Sequence, residues 1–224
     1  MISTIDQVSI RRVLQREHDA ARHQRSTRQA ERRAVGETGP RPGPSFRDAA
    51  YYQHSYLSIG PDQGALLYFL ARASGACRIV EFGSSFGVST IYLAAAASDN
   101  GGHVIGSEFY ANKRERAMAN LREAGLDARV EIRLGDATET LSDIVGPIDF
   151  VFLDGDKSLY QPVLESLESR LAADALIIAD NLDHLTGDPG DFRHFVTTQP
   201  DRYTTRLMSI GKGMFSVSQW HGKA

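Results

Sequence analysis

The stretch Phe152-Leu-Asp-Gly-Asp-Lys-Ser-Leu-Tyr160 places the carboxylates of Asp154 and Asp156 and the amine of Lys157 at the end of the apolar run IDFVFL. A second apolar run, ALIIAD, ends in Asp180-Asn181. If the two runs are neighbouring parallel strands, their ends lie about 5 Å apart and Asp154, Asp180 and Asn181 converge. Two carboxylates and an amide oxygen make a hard, all-oxygen site suited to Mg²⁺, Mn²⁺ or Ca²⁺, and a cation there offsets the repulsion between the acids. Lys157 could act beside such a metal. Without one, it would simply pair with Asp154 or Asp156 at the surface.

Other polar residues recur at the ends of apolar runs. Glu81-Phe-Gly-Ser-Ser-Phe-Gly-Val-Ser-Thr90 follows CRIV. Gly83 and Gly87 would let the backbone turn tightly and approach a ligand, and the helix that follows offers free N–H groups to an anion. The spacing Gly-x-x-x-Gly lacks the dinucleotide fingerprint, so a plain strand-to-helix turn fits it about as well. Glu108 ends the next run, at the ~20-residue distance where an acid can hold both ribose hydroxyls. Gly135-Asp136-Ala137 ends a third and could meet an adenine amine. Each acid alone is an ordinary solvated strand end; three on successive strands favour adenosine binding.

These positions require a particular frame. GALLYFLARASG, STIYLAAAAS, NKRERAMANLREAG and YQPVLESLESRLAA are helical in period, with Gly75 as a stop for the first. CRIVEF, HVIGSEF, ARVEIRL, IDFVFL and ALIIAD are continuous apolar strands between them. Such alternation predicts an α/β fold, a mainly parallel sheet with helices on both faces. YTTRLMSI and GKGMFSVSQ add an antiparallel C-terminal hairpin at one edge, seven strands in all. Ligands of such sheets sit at the carboxyl ends of the strands near the topological switch point.

Residues 1–48 differ in composition, being rich in Arg, Gln, Ala and Glu and closing in GETGPRPGPSF. They are expected to form a helical arm and linker ahead of a domain spanning 49–224. Ile5, Val8, Val13 and Leu14 give the arm an incomplete apolar face, which suggests a solvated or dimer-contacting helix. A homodimer whose arms cover one another's sites is the expectation.

The 224 residues, 42% hydrophobic, suffice for one substantial core. A net charge of -3 and a pI near 6.2 give no global attraction to nucleic acid or to an anionic membrane. A small neutral or weakly charged partner is the default. The single cysteine, Cys77, excludes an intramolecular disulfide and a multi-cysteine zinc site and points to a cytoplasmic location, with core packing its simplest role. No run is long enough to span a bilayer, and MISTIDQVSIRRVLQRE lacks the apolar block of a signal peptide.

From Ser58 to Ser218 the chain resembles the class I S-adenosylmethionine-dependent O-methyltransferases of the catechol and caffeoyl-CoA type. The resemblance rests on IGPDQGALL, RIVEFGSSFGVSTIYLA, GSEF, GDA, FLDGDKSLY, IIADN and IGKGMFSVS in family order. It implies a Rossmann-like methyltransferase fold with S-adenosylmethionine and a divalent cation, Mg²⁺ foremost, as cofactors. By position it implies Asp154, Asp180 and Asn181 as metal ligands and Lys157 as the catalytic lysine. Glu81, Gly83, Ser84, Ser89 and the backbone of Ile59 would hold the methionine part of the donor, Glu108 the ribose, and Asp136 and Ala137 the adenine, with Asp156 a further donor contact. The implied activity is methylation of a hydroxyl on a small catechol-like acceptor. Methylation of a hydroxylated nucleoside in tRNA and noncatalytic nucleotide binding are the alternatives. Phe86 before Gly87 and the loop NLDHLTGDPGDFRHF depart from the pattern. His184 fits a surface histidine better than a substrate contact, and Tyr51, Tyr52, His54 and Tyr56 could roof the acceptor site or only bury the linker.

Overall fold

The computed structural model describes residues 3–36, 52–211 and 213–222; the linker beyond Gly36, Tyr51 and the side chain of His184 lie outside the described residues. The chain runs α1 (Val8–Ala34), α2 (Pro61–Ala73), β1 (Arg78–Phe82), α3 (Val88–Asn100), β2 (His103–Glu108), α4 (Ala111–Ala124) and β3 (Val130–Leu134). It continues with α5 (Ala137–Thr140), β4 (Ile148–Leu153), α6 (Tyr160–Leu167), β5 (Leu171–Ala179), α7 (Phe192–Thr197), β6 (Tyr203–Ile210) and β7 (Gly213–Trp220).

Seven strands form one sheet in the order β3-β2-β1-β4-β5-β7-β6. The first five are parallel; β7 pairs antiparallel with both β5 and β6, so the expected C-terminal hairpin occupies one edge. Strand order reverses between β1 and β4, which opens a crevice beyond their carboxyl ends. Period-two alternation divides the core. Ile79, Phe150, Phe152 and Ile178 face the layer that contains α2, α3 and α4, while Val80, Phe82, Val151, Leu153 and Ile177 face the layer of α6 and α7. Residues Val88–Ala97 of α3 are all buried, as a helix apolar on every side requires.

Three expectations shift. The helix foreseen from Gly64 begins at Pro61, because Pro at the first turn lacks only an N–H that would be unpaired anyway, and Gln63 Oε1 accepts the Gly60 N–H at 2.8 Å. The arm also packs against its own chain. Ile10, Val13, Leu14 and Ala21 enter the core, Val8 is left 82% exposed, and the stripe is completed by polar residues, buried Glu17 and His18. Arg16 and Arg116 pair with Glu17, Tyr56 Oη donates to Glu17 Oε2 at 2.9 Å, and His18 Nε2 meets Tyr92 Oη at 3.1 Å. Those partners hold the Glu17 carboxyl below its usual range despite burial. Cys77 is exposed, in contrast to the core position expected: it precedes the first paired residue of β1, and its Sγ contacts Gly75 O and Asn100 O. No described helix is long and apolar enough to cross a membrane.

Candidate active site

Leu153 of β4 pairs in register with Ala179 of β5, so Asp154 and Asp180 emerge side by side. Asn181 adopts the left-handed conformation (φ 59°), tolerated by Asn, and its Nδ2 donates to Asp154 Oδ1 at 3.1 Å. Asp180 Oδ1 accepts the Asn181 N–H at 2.6 Å and Gln63 Nε2 at 3.1 Å. Lys157 Nζ lies 3.7 Å from Asp154 Oδ1 and donates to Gly155 O at 3.1 Å and Tyr160 Oη at 2.8 Å. Tyr160 Oη in turn donates to Asp180 O at 3.2 Å.

Desolvation opposes charge on both acids. Burial, and repulsion by Asp180 and Glu81, hold the Asp154 carboxyl well above the usual range against the attraction of Lys157. Burial raises Asp180 to about 6. Two buried carboxylates with one nearby ammonium and an amide fit a hard divalent cation by donor chemistry. Among the described residues no group of three His, Cys, Asp or Glu side chains could hold a metal, and the trio of Asp154, Asp180 and Asn181 has only two such members.

The β1 turn stands against this corner. Gly83 has φ +94°, and a Cβ there would come 2.6 Å from Asp154 O, so glycine is needed for one backbone to approach another, where a ligand approach was expected. Glu81 is fully buried and accepts hydroxyl hydrogen bonds from Ser84 (2.7 Å), Ser89 (2.6 Å) and Thr90 (2.5 Å). Burial raises its pKa against those donors. Glu108 accepts the backbone N–H groups of Ser85 at 2.7 Å and Tyr110 at 2.9 Å, which ties the glycine loop to the end of β2. Phe86, the departure in that loop, is buried with its ring 4.5 Å from that of Tyr56.

Two hollows meet at the turn after β4. The first is a slot lined by Gly83, Glu108, Phe109, Asp136, Ala137 and Gly155, among others. Asp136 Oδ1 caps α5 by accepting the Thr138 N–H at 2.9 Å, so that acid is partly committed to the fold. Asp156 caps the following turn at Ser158 N in the same way. The second is an open cleft of about 1370 Å³, above the roughly 300–1,000 Å³ usual for small-molecule pockets. Asp154, Lys157, Asp180 and Asn181 lie on its wall, Ser58 and Gly60 flank Ile59 there, and Tyr52 and Tyr56 line it while His54 does not. Arg22, His23, Arg25, Ser26 and Gln29 of α1 line it as well, from the same chain. Gly155 and Asp156 border both hollows.

Sequence reasoning passed over Gln63, Thr90, Lys113 and Tyr160. The Tyr of the stretch ending in Tyr160 was visible as a motif member, and Gln63 as the fourth residue of a Gly-Pro helix start; nothing in spacing marked Thr90 or Lys113.

Fold and site together define a Rossmann-like α/β protein with an acid-lined slot beside a polar cleft. Residues 80–182 match the family described as methyltransferase domain. A catechol O-methyltransferase of Niastella koreensis is 35% identical over 130 residues, 56% of this chain and 58% of that protein. One of Mycobacterium tuberculosis is 35% identical over 127 residues, 56% and 57%. The chain thus spans a little over half the length of the curated relatives it matches. In structure it is similar to an O-methyltransferase from Bacillus cereus in complex with S-adenosylhomocysteine (TM-score 0.67, 25% identity, 85% of this chain and 97% of that one). A tomaymycin-synthesis O-methyltransferase of Streptomyces achromogenes in complex with S-adenosylmethionine gives a TM-score of 0.66 at 27% identity, over 80% and 91%.

Proposed function

We propose that the domain of residues 49–224, roofed by the arm of residues 1–48, transfers the methyl group of S-adenosylmethionine to a hydroxyl of a small acceptor with two adjacent oxygens. The observation that carries this is the shared wall: Gly155 and Asp156 border both the slot and the cleft, with Asp154 and Lys157 beside them. A donor in the slot would present its methyl group to an acceptor in the cleft there. The names of the relatives and the ligands of the similar structures agree with this direction.

Glu108 would accept the ribose hydroxyls on the lone pairs its backbone N–H partners leave free. Ala137 and Asp136 would flank the adenine. Glu81 would act by fixing Ser84 and Ser89 under the methionine end, next to Gly83 and Ile59, and Asp156 would touch the donor from the β4 side. Asp154, Asp180 and Asn181 would hold a divalent cation. When bound, that ion supplies positive charge that acidifies an acceptor hydroxyl and relieves the repulsion between Asp154 and Asp180. In its neutral amine form Lys157 Nζ would accept the hydroxyl proton; the oxygen would attack the methyl carbon as the C–S bond breaks, and the sulfur would leave as a neutral thioether. Tyr160, bonded to both Lys157 and Asp180 O, fixes the lysine's direction. Positioning and charge stabilisation account for the acceleration because the sulfonium donor is already activated.

The test is transfer of labelled methyl from S-adenosylmethionine to a panel of catechols with Mg²⁺ present and after chelation. Turnover that requires the cation supports the proposal; donor binding with no transfer to any vicinal diol counts against it. One observation favours a second reading, a hydroxylated nucleoside of tRNA as acceptor: Arg22 and Arg25 line the cleft. Steeply salt-dependent tRNA binding with methyl transfer would select it.

A further inference from the structure

The strand ends gather Glu81, Glu108, Asp136, Asp154, Asp156 and Asp180. The methionine end of an S-adenosylmethionine donor carries an α-carboxylate, which such a field repels unless a cation stands close. Lys157 is committed to the metal corner by its bonds to Gly155 O and Tyr160 Oη and its approach to Asp154. Lys113 has no such commitment.

Lys113 lies in the first turn of α4 and is 1% exposed. Its Nζ sits over the rings of Phe86 and Tyr110, 5.3 and 5.7 Å from their centroids. Its hydrogen bond is a long one, 3.4 Å to Ser85 Oγ in the glycine loop. An ammonium has three N–H donors, so most of its capacity is unused, and burying it that way is costly. Glu108 has no need of it, since both its oxygens are held by backbone N–H groups and no ion pair joins the two. Burial, and Arg28 more weakly, push its pKa down against the attraction of Glu108 and Asp154.

We infer that Lys113 binds the α-carboxylate of the methyl donor, closing the glycine loop over an amino-acid end that the surrounding acids would otherwise repel. This rests on the donor reading proposed above. The alternative is a purely structural lysine that spaces Phe86 from Tyr110.

The two are separated by calorimetric titration of wild type and Lys113→Met with S-adenosylhomocysteine and with 5′-methylthioadenosine, which keeps the adenosine and sulfur but has no carboxylate. The expected result is a roughly ten- to hundredfold loss of S-adenosylhomocysteine affinity in the variant, with 5′-methylthioadenosine affinity unchanged. Equal losses for both ligands, or none for either, overturn the inference. Lys113→Gln must give the same split. Should neither variant fold, wild type that binds S-adenosylhomocysteine no tighter than 5′-methylthioadenosine overturns it equally. Wild type that binds neither ligand defeats the donor reading itself and the role of Lys113 with it.

Discussion

Replacing Asp180 by Asn should make the metal-free protein more stable while abolishing its response to a divalent cation. Asp180 is 3% exposed, and burial raises its pKa from 3.8 to about 6. At roughly 1.4 kcal/mol per unit, keeping it ionised above pH 6 costs about 3 kcal/mol. The sign follows from linkage: the folded protein binds the proton more tightly than the unfolded chain, so the penalty is absent below pH 3.8, grows towards pH 6 and is complete above it. Asn is isosteric, and its Oδ1 can still accept the hydrogen bonds from Gln63 and from the Asn181 N–H. For a chain of this length the gain corresponds to a rise in Tm of roughly 6–12 °C at pH 8. Differential scanning fluorimetry of chelated wild type and Asp180→Asn from pH 4 to pH 8, repeated with Mg²⁺, reads it directly. The variant should melt higher at pH 8, the difference should close towards pH 4, and Mg²⁺ should raise only the wild type. A metal-free variant that melts at or below wild type at pH 8, or equal stabilisation of both by Mg²⁺, would refute the reasoning.

Glu108→Gln keeps an acceptor for the Ser85 N–H but leaves the buried Tyr110 N–H without one and removes the charge proposed to hold the ribose; S-adenosylhomocysteine affinity should fall about tenfold or more, measured by titration, with a stability loss of about 1–3 kcal/mol. Glu17→Gln should cost about 1–3 kcal/mol in urea denaturation at pH 7, because Arg16 and Arg116 lose a buried counter-charge. Since the folded Glu17 pKa lies below 4.5, its contribution is present above that pH and fades as the pH falls through the folded value, so wild type and variant should converge in acid.

The alternation of apolar runs and helices was enough to foresee the sheet, because strands buried on both faces and fully buried α3 leave an unbroken apolar signature. The convergence of Asp154, Asp180 and Asn181 was legible for the same reason: β4 and β5 are parallel neighbours, and a strand end is a fixed place. The docking of α1 was not, since a third of its inward stripe is Glu17 and His18, whose partners Arg116, Tyr56 and Tyr92 lie far along the chain. The approach of Gly83 to Asp154 O was likewise hidden, because a sequence marks a glycine's freedom but not the backbone it must clear. Cys77 misled because an apolar run does not say how far ahead of the first paired residue burial extends.

The most direct test of the central claim is single-turnover methyl transfer by Lys157→Met in the presence of Mg²⁺, with S-adenosylmethionine affinity measured on the same protein. Lys157 bonds to Gly155 O and Tyr160 Oη and approaches Asp154, with no bond to Glu108, Asp136 or Ala137, so donor affinity should stay within about twofold while the transfer rate falls by roughly 10²–10⁴. A variant that transfers methyl at close to the wild-type rate would contradict the account.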